Sequence, residues 1–255
     1  MHVVSSLKNP LLKEVRKAVQ RGGLTDSGLC VAEGFHLLDE ALRSGCEIAS
    51  ILVAESARAR FAERQARVIE LPDAVFRSIS STETSQGVVA LVRPPVWTLE
   101  QLFDSPPLVV VLDGVQDPGN CGAIVRSAEA FGATGVAFMK GSANPYNPKC
   151  LRASAGSVFR VPLAAGLEDP VLLEVLERHH VALYALAAGG SLDVSECKFD
   201  LPCALIAGSE GRGVRDVLRA RSTSVRIPTV AVESLNAALS AGIALYEARK
   251  RRTIS

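Results

Sequence analysis

From Pro107 onward, short unbroken apolar runs alternate with stretches of helical periodicity. That alternation restricts the fold more than any other feature of this 255-residue chain. PLVVVLDGV, GVAFMK, VALYALAA, PCALIAGSEG and SVRIPTV are too short and too continuously apolar for surface strands. They suit strands buried on both faces of a parallel sheet. Between them AIVRSAEAFGA, LLEVLERHH and VRDVLRA have helical spacing, and SLNAALSAGIALYEARKRR reads as a long closing helix. Strands alternating with helices predict an α/β fold built on a mainly parallel sheet.

The first 93 residues are less regular. LLKEVRKAVQ and GFHLLDEALRSG predict helices, the second closed by Gly45, while ASILVAE and QGVVALVR predict strands. The four prolines between Arg93 and Pro107 mark a boundary. The expected organisation is a small α/β domain over 1–93, a linker over 94–107 and a larger α/β domain over 108–255.

Composition narrows the classes. A hydrophobic fraction of 48% supports a buried core, and a net charge of +1 supplies no global attraction to polyanions. A nucleic-acid partner would need a local basic patch. The six cysteines form no CxxC pair and stand far from the four histidines, so no metal site and no disulfide framework are expected, only reduced and mostly buried thiols. MHVVSSLKNPLLKEVRK lacks the apolar stretch of a secretory signal, and no apolar run reaches the roughly 18 residues of a membrane span. These readings predict a soluble, cytoplasmic protein.

Three glycine-bearing or loop segments fall where predicted strands end, the edge at which open α/β sheets bind ligands. They are Asp117-Pro118-Gly119-Asn120-Cys121-Gly122 just before a helix, Gly208-Ser209-Glu210-Gly211-Arg212-Gly213, and Ile227-Pro228 through Ser234-Leu235-Asn236. Any one could simply end a strand. None carries the GxGxxG order, and no GxxxxGK[ST] occurs, which disfavours a nucleotide-dependent enzyme of the doubly wound type.

The three segments, in order, resemble the three motifs of the SpoU (TrmH-like) branch of the SPOUT RNA methyltransferases: DPGNCGAIVRSAEAFGATGV, LIAGSEGRGV and IPTVAVESLNAALSAGIALYEARK. NPKCLRASAGSVFRVPL is similar to the same family, and SLKNPLLKEVRK with CVAEGFHLLDEAL resembles its L30e-like substrate-binding domain. The resemblance implies a deep trefoil knot in the C-terminal domain, S-adenosylmethionine as cofactor, a homodimer, and methylation of a ribose 2′-hydroxyl in RNA. The N-terminal domain and the 5% aromatic content favour ribosomal over transfer RNA. The alternative is an RNA-binding module of this fold without catalysis. Thr229, Ala231 and Ala238 depart from the family pattern.

The resemblance also implies roles. Gly208, Ile227 and Leu235 would hold the cofactor, largely through backbone groups. Arg126 would be the catalytic arginine. A guanidinium is too basic to act as a free base, so gripping the RNA phosphate or ribose and lowering the hydroxyl pKa suits it better. Asn120 would hold Arg126 or the ribose, with a helix N-cap as its plainer reading, and Glu210 would pair with Arg126 or orient the site. Ser234 and Asn236 complete the catalytic set, with helix capping as the plainer reading of both. Lys149 and Arg152 are the expected RNA contacts. Lys140, Arg160, the N-terminal face of Lys8, Lys13, Arg16, Lys17 and Arg21, and the run Arg249 to Arg252 add positive charge.

Overall fold

The computed structural model describes residues 2–61, 66–104 and 106–253. The chain divides into two compact units, one of Met1–Val96 with Asn144–Arg160, the other of Trp97–Ala143 with Val161–Ser255.

In the first unit the elements run β1 (His2–Val3), α1 (Pro10–Arg21), β2 (Cys30–Glu33), α2 (Phe35–Arg43), β3 (Glu47–Ala54), β4 (Val68–Leu71), α3 (Asp73–Arg77) and β5 (Val88–Arg93). α1 starts where its sequence allows: Asn9 accepts from the Leu11 amide, and Pro10 occupies the first turn, where a missing N–H costs nothing. It ends at Gly22, whose φ of 67° is the left-handed geometry glycine tolerates. The strands form one mixed sheet in the order β1-β4-β3-β5-β2. β5 runs antiparallel to β2 and β3, whereas β3 and β1 run parallel to β4. The four expected elements are all present. β1, β2, β4 and α3 are additional, each two to five residues long and too short to show a period.

The second unit holds β6 (Leu108–Asp113), α4 (Pro118–Phe131) and β7 (Gly135–Met139). The chain then contributes α5 (Pro148–Ser154) to the first unit before returning with β8 (Leu163–Leu167), α6 (Asp169–Arg178), β9 (Ala182–Leu186), β10 (Leu192–Asp193), β11 (Cys203–Gly208), α7 (Asp216–Arg219), β12 (Thr223–Arg226) and α8 (Ala237–Thr253). Every pairing in its seven-stranded sheet, β10-β12-β9-β11-β6-β7-β8, is parallel. Every residue of β6 and β7 is buried, as unbroken apolar runs require. Val109, Val111, Ala204 and Ile206 form one core with Leu172 and Leu176 of α6 and Leu218 of α7, while α8 packs against α4 and β11.

Three boundaries differ from the linear reading. The segment 94–107 is not a free linker throughout: Leu102 and Phe103 are buried in the core of the second unit, while Ser105 lies outside the described residues. Asn144–Arg160 belongs to the first unit although flanked on both sides by the second. Its ties are internal to the first unit: Arg160 donates to Glu40 at 2.7 Å, and Arg152 donates to Ser81 at 2.6 Å and lies 4.0 Å from Glu33. Lastly, Asp117-Pro118-Gly119-Asn120 is not a loop before a helix but its first turn. Asp117 caps α4, accepting from the Gly119 and Asn120 amides, with Pro118 at the first helical position.

Glu33 is the most enclosed carboxylate among the described residues of the first unit. Its oxygens accept from the Ser80, Ser81, Thr82 and Ser85 hydroxyls at 2.6 to 2.8 Å and from the Ser81 amide at 2.8 Å. Burial pushes its pKa up, but these donors outweigh burial and hold the carboxyl below its ordinary value.

Candidate active site

In the second unit the C-terminal ends of β9, β11 and β12 surround a cavity of about 230 Å³. Gly208, Ile227 and Leu235, the three residues expected to hold the cofactor, all line it, and Glu210 and Ser234 stand on its wall. Apart from a second carboxylate, Glu233, the rest of the wall is small or apolar, including Leu186, Ala187 and Ala207. Such small and apolar residues leave backbone N–H and C=O groups accessible, and the two carboxylates supply negative charge toward a cationic ligand. This lining suits a planar heterocycle read by the main chain, so the residues present fit S-adenosylmethionine.

Local geometry explains the glycines. The Ser209 and Gly213 backbones bond each other in both directions, at 3.1 and 2.8 Å, and fold 209–213 into a tight turn. A Cβ on Gly208 would collide with the Gly213–Val214 backbone, so only glycine lets the turn close over the end of β11.

The turn carries Glu210 to α4 and to the start of α8. Asn120 donates its amide to Glu210 Oε1 at 2.5 Å. Asn236 donates to Asn120 Oδ1 at 3.1 Å and to Glu210 Oε1 at 3.4 Å. One residue from each of the three segments thus meets in a single hydrogen-bonded triangle. The plainer reading of Asn120 as an N-cap is wrong, because Asp117 holds that position. Asn236 both caps and serves the site: its Oδ1 accepts from the Ala238 and Leu239 amides while its Nδ2 joins the triangle. Ser234 lies ahead of α8, on the cavity wall.

Arg126 is not in the triangle. It is exposed on α4, six residues beyond Asn120 and therefore about 120° round the helix from it. The hydrogen bonds of Asn120 and Glu210 go to each other and to Asn236, not to Arg126. The expected pairing of Arg126 with either is therefore corrected: it lies on another face of α4. Cys121 donates to the Val115 carbonyl, and burial pushes its thiol up to about 12, so it is a packing group rather than a nucleophile.

The expected RNA contacts separate. Lys149 is exposed on α5, in the first unit. Arg152 faces Glu33 and Ser81 in that unit, which argues for a structural role instead. Much of the remaining basic charge is also engaged. Lys17 and Arg21 pair with Asp26, Lys140 with Glu168, and Arg160 with Glu40. Arg252 donates to the Pro106, Pro107, Phe199 and Leu201 carbonyls and pins the end of α8.

Two residues were missed by sequence reasoning. Asp113, buried at the end of β6, accepts from Arg215 Nε at 2.5 Å and from its amide at 2.7 Å. Arg215 also donates to Asp169 at 2.7 Å and to the Lys140 carbonyl at 3.0 Å. The pair lines a second cavity, of about 820 Å³, which shares Ser209, Glu210 and Gly213 of the turn with the first. An aspartate closing an apolar run was the available signal for Asp113. Nothing local marked Arg215.

Comparison with known proteins gives the family. Residues 107–246 match the SpoU rRNA Methylase family model, and residues 9–90 match the MRM3-like substrate binding domain. An uncharacterized tRNA/rRNA methyltransferase of Synechocystis is 34% identical, over 98% of this chain and 94% of its own. The 23S rRNA (guanosine(2553)-2′-O)-methyltransferase RlmP of Bacillus subtilis is 31% identical, over 98% of this chain and all of its own. Among solved structures, the AdoMet-bound rRNA methyltransferase of Sinorhizobium meliloti superposes with a TM-score of 0.80 at 30% identity, covering 97% of each chain. The SpoU methyltransferase AviRb of Streptomyces viridochromogenes, in complex with AdoMet, does so with 0.85 at 25% identity, covering 96% of this chain and 99% of its own. With the motif residues gathered at one sheet edge and both stretches of sequence matched, the chain belongs to the SpoU rRNA methylase family.

Proposed function

We propose that this protein transfers a methyl group from S-adenosylmethionine to a ribose 2′-hydroxyl of ribosomal RNA. The observation that carries the reading is the convergence of Gly208, Ile227 and Leu235 on one cavity, with Glu210 and Ser234 on its wall. When bound, the cofactor supplies a methyl on a positively charged sulfur, so transfer requires an oxygen aligned behind that carbon and relieved of its proton.

The residues divide that work. Asn120 and Asn236 hold Glu210 through Oε1, which leaves Oε2 to accept a hydrogen bond from the incoming hydroxyl. Ser234 lies close enough to the cavity to orient the same hydroxyl or the methyl donor. Arg126, exposed and outside the triangle, serves as an RNA grip: its positive charge beside the ribose or phosphate eases loss of the hydroxyl proton.

The same reading covers the remaining assignments. Lys149 contributes to RNA binding from the first unit. A threaded, knotted path through the C-terminal unit and a cytoplasmic setting are part of the same proposal, supported by the resemblance to the family. Among the described residues no helix is long and apolar enough to cross a membrane. A homodimer is supported by Val230, Val232, Leu239 and Tyr246, large apolar side chains exposed within one stretch at and before α8. The buried stripe of that helix is Ala241, Ala244, Leu245 and Ala248.

The test is methyl transfer from labelled S-adenosylmethionine to deproteinised and to assembled ribosomal RNA, with mapping of the modified positions. Ribose methylation at a discrete site is expected. Methylation of bases alone would overturn the reading, and cofactor binding without any transfer would favour the RNA-binding module.

A further inference from the structure

The cofactor cavity uses only one side of the 209–213 turn. On the other side lies the larger cavity, whose volume of about 820 Å³ falls within the range of ligand pockets, roughly 300–1,000 Å³. Ser209, Glu210 and Gly213 line both cavities, so the Glu210 carboxylate stands at the seam between them. A group transferred between two ligands must cross such a seam.

Charge accounting singles out one residue. The larger cavity is bordered by the cations Lys140, Arg212 and Arg215 and the anions Asp113, Asp117, Glu210 and Asp216. Arg215 is spent on Asp113 and Asp169, Lys140 on Glu168, and Asp216 on Arg219. Asp117 is spent on the start of α4, and Glu210 on Asn120 and Asn236. The Arg212 backbone amide is held by Ser209 Oγ at 3.2 Å, which fixes the base of the side chain, while its guanidinium has no partner among the described residues. Arg212 is exposed at the cavity rim.

Gly211, beside it, is a second sign. Its φ lies outside the left-handed range, and an added Cβ would meet nothing within 4 Å. Neither backbone geometry nor packing demands glycine there, so the bare backbone keeps the rim open.

From these observations, and resting on the methyl-transfer reading above, we infer that the larger cavity receives the target nucleotide of the RNA, with Arg212 gripping its phosphate. A guanidinium matches phosphate oxygens bidentately, and the ribose of a nucleotide so held would face Glu210 across the seam. The nucleotide must leave its helical stack to enter, as in other enzymes that act on a single buried nucleotide.

The test uses full-length protein, ribosomal RNA and labelled S-adenosylmethionine, with Arg212→Ala, Arg212→Glu, Arg212→Lys and Gly211→Val. The KM for RNA should rise about tenfold or more in Arg212→Ala and further in Arg212→Glu, with kcat little changed and Arg212→Lys partly restoring it. Losing one phosphate contact should also lower the slope of log affinity against log salt by about 0.7 to 0.9. Gly211→Val should slow transfer by crowding the cavity. Calorimetric binding of S-adenosylmethionine should be unchanged throughout. Unaltered KM and salt slope in Arg212→Ala, with an active wild type, would overturn the cavity assignment alone. A wild type that binds the cofactor yet methylates no ribose would overturn the methyl-transfer reading and this assignment with it.

Discussion

The segment Asn144–Arg160 and the turn Ser209–Gly213 look alike in sequence. Both lie in the family-like half, and both carry arginine among small residues. In the folded chain they do opposite things. Arg152 and Arg160 face Glu33 and Glu40 within the first unit, so their charge is satisfied inside the protein. Arg212 pairs with no carboxylate among the described residues, and its neighbour Glu210 lines both cavities. A cation in a functional-looking motif is available to a ligand only if no internal anion has already taken it. Charge type and spacing do not reveal that.

The comparison can be broken most directly at its two carboxylates. Replacing Glu210 with alanine should cut methyl transfer by 100- to 1,000-fold, about 2.7–4 kcal/mol, because a group preorganised by two amides is lost from the reacting centre. Chemical denaturation should show little change, since Glu210 is exposed. A variant that keeps its rate would remove Glu210 from the site. Arg126→Ala should cost a similar factor in rate while calorimetry shows S-adenosylmethionine binding intact, because Arg126 does not line the cavity proposed for the cofactor. If cofactor binding fell along with the rate, its role as an RNA grip would be wrong.

Glu33→Ala should have the reverse profile. It leaves the Ser80, Ser81, Thr82 and Ser85 donors without their acceptor in a buried place, a loss on the order of 3 kcal/mol in folding stability. Urea denaturation measures it, and an unchanged midpoint would refute the structural role. Arg152→Ala should be milder, about 1 kcal/mol, with RNA affinity unchanged under the same salt. If RNA affinity fell and stability did not, Arg152 would return to the RNA-contact set and the contrast would fail.

The smallest effect is in pH. Glu33 is held below its ordinary pKa in the folded state, so its contribution is fully present above the unfolded value. It is lost as pH falls through the folded one. Wild-type stability should therefore drop on acidification below about pH 4.5. Glu33→Gln should be less stable at neutral pH and show a shallower acid limb. Parallel acid limbs in the two proteins would show that Glu33 does not titrate this way.

The sequence by itself determined what depends on neighbours along the chain. Unbroken apolar runs such as Leu108–Leu112 imposed strands covered on both faces, and all seven of the second unit came out parallel. Asn9-Pro10 and Asp117-Pro118 set the starts of α1 and α4, because capping is a contact over two or three residues. The second and third motif segments line one cavity, because each follows a strand at the sheet edge where such cavities form. Tertiary structure alone decided what depends on residues far apart. The triangle joins Asn120 to Glu210, 90 positions on, and to Asn236, 116 positions on. The same distance effect placed Asn144–Arg160 in the first unit and committed Arg215 to Asp113, 102 positions away. Hydrogen bonds and ion pairs act over a few ångströms of space, so their partners are chosen by the folded path. That choice separates arginines committed to internal carboxylates, such as Arg152, Arg160 and Arg215, from Arg212, which has no such partner among the described residues.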